Sequence, residues 1–209
     1  GLILSGNKSM TFKELAFSCW ENRISLSSTG FYKTPKISWD QEKFKGSPYF
    51  YFTWGAAVSE AIIDIDTGES RILRADIIQD CGSSLNPLID RGQIEGGFIQ
   101  GIGWLTCEEL YFNPEGKLLT LGPSTYKIPG SRDVPPEFTI KLLENTPNEE
   151  KTIFRSKAVG EPPLLLSISH FLALKNAVSM ASETSNADLL NAPATPSKIL
   201  AAVHNDHSM

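Results

Sequence analysis

The sequence predicts an α+β fold, in which a sheet built from a β-hairpin packs against two main helices. Three observations predict it. Residues 49–64 are rich in aromatic and β-branched side chains, Asp66-Thr67-Gly68-Glu69 is a turn signal, and 71–80 is a second alternating apolar run. Residues 93–109 carry Ile94, Phe98, Ile102 and Leu105 at helical intervals. Residues 162–182 hold the longest apolar run, with Leu164, Leu165, Leu166, Ile168, Phe171, Leu172, Leu174 and Val178 at helical spacing.

Each element has a local reason. The chain opens abruptly on Gly1-Leu2-Ile3-Leu4-Ser5-Gly6 with no initiator Met, which suggests a piece of a longer polypeptide. Thr11 and Glu14 have the spacing of a capping box, and Leu15, Ala16 and Trp20 give an apolar face, so a short helix over about 11–21 is expected within an opening segment 1–29. Residues 22–47 are polar and broken by Gly30, Pro35 and Gly46, and read mostly as loop. Residues 82–87 are a loop of turn-forming residues.

The 93–109 helix carries Gly96, Gly97, Gly101 and Gly103. Each glycine costs a helix about 1 kcal/mol relative to Ala, so something passes close to the backbone. Either a close-packed helix or strand, or a bulky cofactor, would do so. Residues 113–116 are a turn, 122–133 a loop with two prolines, 138–143 a strand, and 152–154 a further short strand. Pro162 and Pro163 suit the first turn of a helix, which needs no backbone donors there, and Glu161 falls at the cap. That helix spans roughly 30 Å. Thr195 and Pro196 open a last short helix before a tail at 204–209.

With 209 residues, 41% of them apolar, the chain has enough for a core. A net charge of -5 leaves no basic footprint for nucleic acid. No apolar run approaches the length needed to span a bilayer and no leader opens the chain, so a cytoplasmic location is expected. The three cysteines, Cys19, Cys81 and Cys107, are odd in number and widely spaced. That pattern points to a reducing compartment and away from an iron–sulfur cluster or structural zinc in this chain. Each cysteine reads as a small buried apolar residue.

Ser156-Lys157-Ala158-Val159-Gly160-Glu161-Pro162-Pro163-Leu164 resembles the signature of the molybdenum-binding subunit of the xanthine dehydrogenase and aldehyde oxidase family. Five further stretches agree in the same order, at 30–35, 82–87, 92–98, 122–129 and 191–196, so the resemblance covers roughly 30–203. Its flavour is closest to a bacterial-type xanthine dehydrogenase. The resemblance implies the C-terminal portion of a molybdopterin-binding domain. It also implies an oxidoreductase that oxidises an electron-poor carbon, such as a purine carbon of xanthine or hypoxanthine, with water as the oxygen source.

On that resemblance Glu161 matches the family's catalytic glutamate, a general base, and Gln93 matches a glutamine that hydrogen-bonds the molybdenum cofactor. No residue is assigned as a protein ligand to metal. Electrons would leave through 2Fe-2S clusters and FAD on other domains or subunits. The implied partners are the purine substrate, an iron–sulfur/FAD subunit or domain, and the upstream portion of the same molybdenum subunit, within an oligomer. The residues that orient the purine would lie upstream of Gly1, and the isolated chain would be inactive. An aldehyde oxidase-type hydroxylase, or a non-catalytic module that encloses cofactor or serves assembly, are the alternatives.

Local sequence offers plainer readings. Glu161 is a helix-start acid, and Gln93 an ordinary polar residue near a helix start. Lys157, four residues before Glu161, is placed to pair with it or shape its surroundings. Ser124-Thr125-Tyr126-Lys127 matches a Ser-x-x-Lys catalytic pattern but lies in a Gly/Pro-flanked loop without the companion motifs. Glu108 and Glu109 are adjacent, so their carboxylates diverge on a helix. His170 lies inside the long helix, and His204 and His207 in the tail make no metal site with it.

Overall fold

The computed structural model describes residues 1–206; His207 and the two residues after it lie outside the described residues. The chain divides into two compact units, Gly1–Phe50 and Tyr51 onward. In the first unit β1 (Leu2–Ser5) and β2 (Lys8–Thr11) form an antiparallel hairpin that runs straight into α1 (Phe12–Glu21). The expected capping box is present. The Glu14 amide donates to Thr11 Oγ1 at 3.2 Å, and the Thr11 amide donates back to Glu14 Oε2 at 2.7 Å. A second hairpin, β3 (Ser38–Asp40) with β4 (Lys45–Ser47), lies inside the stretch expected as loop. Strands of three or four residues carry too little alternation to be visible against turn-forming neighbours.

The second unit holds the predicted hairpin. β5 (Gly55–Ile63) pairs antiparallel with β6 (Ser70–Gln79), and β6 pairs in parallel with β7 (Glu137–Leu142), giving the order β5-β6-β7. Along β6, Ile72 is buried, and so are Ala75, Ile77 and Gln79. Leu73 is the extra residue where the pairing shifts register, which resets the alternation so that both sets face the same layer. α2 (Pro87–Thr106) lies on that face. Ile94, Phe98 and Ile102, the residues picked out by helical spacing, pack on Ile72, Ala75, Ile77 and Ile140.

α2 starts six residues earlier than the apolar period suggests. Asn86 caps it, accepting from the Leu88 and Ile89 amides, and Pro87 takes the first helical position. The long helix at 162–182 is also present, in two parts: a 3-10 turn over Pro162–Ser167, then α3 (Ile168–Ala181). Leu174 and Val178 of α3 enter a second core with Leu190, Ile199, Ala202 and Val203, the last three from α4 (Pro196–His204).

Two expectations are corrected. Residues 152–154 are not a strand but lead into a 3-10 turn over Ile153–Arg155, because Phe154 and Arg155 take left-handed φ of 49° and 61°. And Pro162–Ala181, at 20 residues and mean hydropathy 1.4, is long and apolar enough to cross a bilayer by length and composition alone. Here its inward side, Pro163, Ser167, His170, Leu174 and Val178, is buried within the unit.

The glycines of α2 divide by what they face. A side chain at Gly97 would meet the Gly160 carbonyl at 3.1 Å and Pro163 at 3.3 Å, and one at Gly101 would collide with Ser167 Oγ and the Leu164 carbonyl. A close-packed neighbour therefore accounts for these two. At Gly103 the obstacles are Glu108 and Pro129, whereas Gly92 and Gly96 face open space.

Two outcomes test this packing by urea unfolding. Gly101→Ala is expected to cost about 1–3 kcal/mol, because the turn must move away, while Gly92→Ala is expected to gain up to about 1 kcal/mol of helix propensity. The second concerns His170, 2% exposed, with Nδ1 lacking a partner. Burial lowers its pKa from 6.5 to about 4. The unfolded chain then takes up the proton first. Stability is full above pH 6.5 and is lost as pH falls towards 4, by on the order of 3 kcal/mol. In His170→Gln most of the slope between pH 6.5 and 5 should vanish.

Candidate functional site

Three of the stretches that carry the resemblance meet at one end of the sheet. β6 and β7 run parallel, so the segments that leave Gln79 and Leu142 emerge side by side. The segment after β6 turns at Gly82, whose φ is +65° and whose missing side chain would strike the Arg155 carbonyl at 2.5 Å. Gly82 and Ser156 form an isolated antiparallel bridge. The Ser83 amide donates to the Arg155 carbonyl at 3.0 Å, and the Lys157 amide to the Cys81 carbonyl at 2.8 Å. The 155–157 backbone is thus stitched to 81–83, just ahead of α2.

Beneath that stitching lies a buried ion pair. Lys157 Nζ sits 2.6 Å from Asp80 Oδ2, with side chains only 12% and 2% exposed. Asp80 also accepts from the Gly82 amide at 2.8 Å and the Thr146 hydroxyl at 3.4 Å. The sequence reading that paired Lys157 with Glu161 is therefore corrected. The lysine turns inward, because a buried carboxylate needs a counter-charge more than an exposed one does. Asn148, 2% exposed, completes the anchorage from the other side: its Nδ2 donates to the Ser156 carbonyl at 3.2 Å. The Ala158 amide donates to Tyr51 Oη at 2.9 Å. None of Asp80, Asn148 or Tyr51 stood out in the sequence. The one available signal was an aspartate ending an apolar strand.

Glu161 and Gln93 come to one flank of α2. Gln93 is exposed in its second turn, and its Oε1 lies 3.2 Å from where a side chain on Gly160 would begin. Glu161 follows Gly160 directly and is exposed. It occupies the cap position of the 3-10 turn, but its side chain makes no capping bond. Its carboxylate has no hydrogen-bond or ion-pair partner among the described residues. The helix-start role that local sequence suggests is thus unused. Next to Gln93, Gly92 and Gly96 leave free space along the same flank. The arrangement is the Gln93 amide beside an open strip of helix backbone, with Glu161 one residue beyond the Gly160 that Gln93 approaches. Among the described residues no group of three or more His, Cys, Asp or Glu could hold a metal ion.

Other stretches lie elsewhere. Tyr126 donates to Glu108 Oε2 at 2.7 Å, Pro129 touches Gly103, and the Ala194 amide donates to the Leu105 carbonyl at 2.7 Å. The 122–129 and 191–196 stretches therefore gather at the far end of α2, about 15 Å along its axis from Gln93. Glu108 bonds Tyr126 while Glu109 pairs with Lys198 at 3.5 Å, so the two carboxylates diverge, but not on a helix as expected: α2 ends at Thr106 and both lie beyond it. The 30–35 stretch belongs to the first unit. Two clefts, of about 440 and 510 Å³, open between β5 and α3 and between β6 and the far end of α2; Gln93 and Glu161 line neither. Cys19, Cys81 and Cys107 are free thiols, and burial pushes those of Cys81 and Cys107 above the ordinary range, which makes them poor nucleophiles.

Residues 1–135 match the family described as molybdopterin cofactor-binding domain. The chain is 50% identical over 200 residues to a xanthine dehydrogenase/oxidase of Felis catus, covering 92% of this chain and 15% of that protein. Among solved structures it resembles quinoline 2-oxidoreductase of Pseudomonas putida 86, with TM-score 0.59 and 30% identity over 68% of this chain and 17% of the other. It also resembles the aldehyde oxidoreductase of Desulfovibrio gigas, with TM-score 0.61 and 26% identity over 76% of this chain and 16% of the other. The chain thus spans about 15% of the length of the curated relatives it matches.

Because Glu161 is exposed and caps nothing, Glu161→Gln is expected to shift the unfolding free energy by no more than about 0.5 kcal/mol. Urea unfolding beside the parent chain checks this; a loss above that would mean that the carboxylate serves the fold.

Proposed function

The chain belongs to the molybdopterin cofactor-binding domain family, and from that membership we propose that it is the part of a xanthine dehydrogenase-type molybdenum hydroxylase that supplies the general base, Glu161, and one cofactor contact, Gln93. The observation that supports this reading is the meeting of Gln93, beside the open Gly92 and Gly96 flank, with the Gly160 backbone that leads into an exposed Glu161 whose side chain caps nothing. A side chain at either glycine would occupy that strip, so the flank fits a bulky planar group lying against helix backbone. The donor set fits too: with no ligand cluster among the described residues, this chain would hold the cofactor by hydrogen bonds rather than by binding its metal.

The molybdenum cofactor, when bound, supplies the two-electron acceptor for oxidising an electron-poor carbon. The chain's own residues do the rest. Glu161 takes the proton from the attacking hydroxyl as the new carbon–oxygen bond forms, a role worth about 10²–10⁴-fold in rate for a well-placed base. Having no partner among the described residues, its carboxylate has lone pairs free to accept that proton. Gln93 offers one N–H donor side and one carbonyl acceptor side, which orient the cofactor edge without adding charge. Electrons would leave through 2Fe-2S clusters and FAD held by other domains or subunits, in a cytoplasmic oligomer that includes the rest of the molybdenum subunit.

Xanthine or hypoxanthine is favoured over an aldehyde as substrate, because the stronger likeness is to the xanthine enzyme. The aldehyde reading rests on the weaker structural likeness, and a substrate panel separates the two. In the complete enzyme, Glu161→Gln is expected to lower turnover of xanthine by about two to four orders of magnitude while molybdenum content, read by elemental mass spectrometry, stays at the wild-type level. Wild-type turnover in that variant would overturn the assignment and leave the non-catalytic module.

A further inference from the structure

We infer that Asp80 is a positioning residue: through its buried ion pair with Lys157 it holds the 155–161 segment, and with it the Glu161 carboxylate, in working register. The inference rests on the reading of Glu161 as the base. It begins from what Glu161 lacks. With no partner for its own side chain among the described residues, its place is inherited from the backbone that carries it.

That backbone does not place itself. It begins with Phe154 and Arg155 in consecutive left-handed conformations, at φ 49° and 61°, which ordinary residues hold only where surroundings impose them. Between Ser156 and Gly160 it has no helix, and its only strand-like feature is the single bridge at Ser156. The surroundings supply anchors on both sides. Arg155 is clasped by the Asn148 and Glu149 carbonyls, at 3.0 and 2.9 Å from its guanidinium. The Ser156 carbonyl accepts from Thr152 Oγ1 at 2.6 Å and Asn148 Nδ2 at 3.2 Å. The last residue before the glutamate to anchor through its own side chain is Lys157, whose partner is Asp80 at 2.6 Å; beyond it the Ala158 amide donates to Tyr51 Oη at 2.9 Å.

The anchor is built for direction rather than for strength. A buried pair recovers little net stability over an apolar pair of the same size, since both charges lose water. It does fix geometry: a charge in a low-dielectric site has one favourable position opposite its partner. Asp80 is itself held by Gly82 and Thr146, so the reference point is rigid. Lys157 lies four residues before Glu161, and two close approaches follow it: Gln93 Oε1 beside Gly160, and the Gly160 carbonyl beside Gly97. A loosened lysine therefore leaves the short lead to the glutamate with one charged anchor fewer, held by the Tyr51 bond to Ala158 and by the packing of Val159 on the first core.

The test uses the complete enzyme with Asp80→Asn and Lys157→Met together, which removes the tether without leaving an unpaired buried charge. Glu161→Gln is run beside it. Two quantities are read: amide hydrogen exchange of 155–161 in the cofactor-free protein, and kcat and KM per bound molybdenum. The expected result is exchange faster by about tenfold or more in that segment with α2 unchanged, together with kcat lower by about ten- to a hundredfold and KM within about threefold. Unchanged exchange, or unchanged kcat per molybdenum, overturns the inference. An active Glu161→Gln overturns the base assignment instead, whatever the double variant does. If the double variant does not accumulate, Lys157→Gln, in which Asp80 keeps its bonds from Gly82 and Thr146, is read by the same two criteria.

Discussion

The close approach of α2 to the Pro162–Ser167 turn is the constraint on which the second unit depends. Gly97 and Gly101 present bare backbone, and Gly160, Pro163, Leu164 and Ser167 fill the space that side chains would take. α2 is thereby used on two faces. Its Ile94, Phe98 and Ile102 face packs on the sheet, and its glycine face takes the turn. Five glycines would make a weak helix in isolation, but burial of the apolar face supplies the stability that propensity withholds. Since the turn continues directly into α3, the same contact sets where α3 starts, and it brings Gly160 and Glu161 against the first half of α2.

A second layer of order is polar. At the carboxyl ends of the parallel pair β6 and β7, the groups Gln79, Asp80 and Asn148 are buried, and each has partners. Asp80 comes from the end of β6, and Thr146 and Asn148 from the segment after β7, so the parallel pairing is what lets them share one neighbourhood. This is also the end of a parallel strand pair at which ligands commonly sit, because the connecting segments converge there. Among the described residues His170 Nδ1 is the one buried side-chain polar atom without a partner. The sheet's site end is thus fully satisfied, and the unsatisfied atom lies in α3.

Much of this was legible along the chain. The apolar period in 93–109 named Ile94, Phe98, Ile102 and Leu105, and all four are buried. The hairpin at 49–80, the strand at 138–143 and the capping box at Thr11 followed from local chemistry, and appear within a few residues. Less visible were features whose cause is not local. The β3–β4 hairpin is too short to show alternation. The Leu73 register shift depends on a partner strand. At 152–154 the chain reads as a strand, while the bond from the distant Ser83 amide to the Arg155 carbonyl and the Gly82–Ser156 bridge accompany a left-handed turn.

The site divides in the same way. Sequence alone determined the main helices, the β5–β6 hairpin and β7, the inward face of α2, the motif stretches, and Glu161 and Gln93 as the residues to watch. Tertiary structure decided which stretches meet: those at 82–87, 92–98 and 156–164 gather at one end of α2, and those at 122–129 and 191–196 at the other. It also decided that Lys157 pairs with Asp80, 77 residues away, rather than with Glu161 four residues on. The physical reason is reach against burial. Spacing along a chain says which side chains can touch, but desolvation decides which charges must, and only the folded packing shows which carboxylate has lost its water.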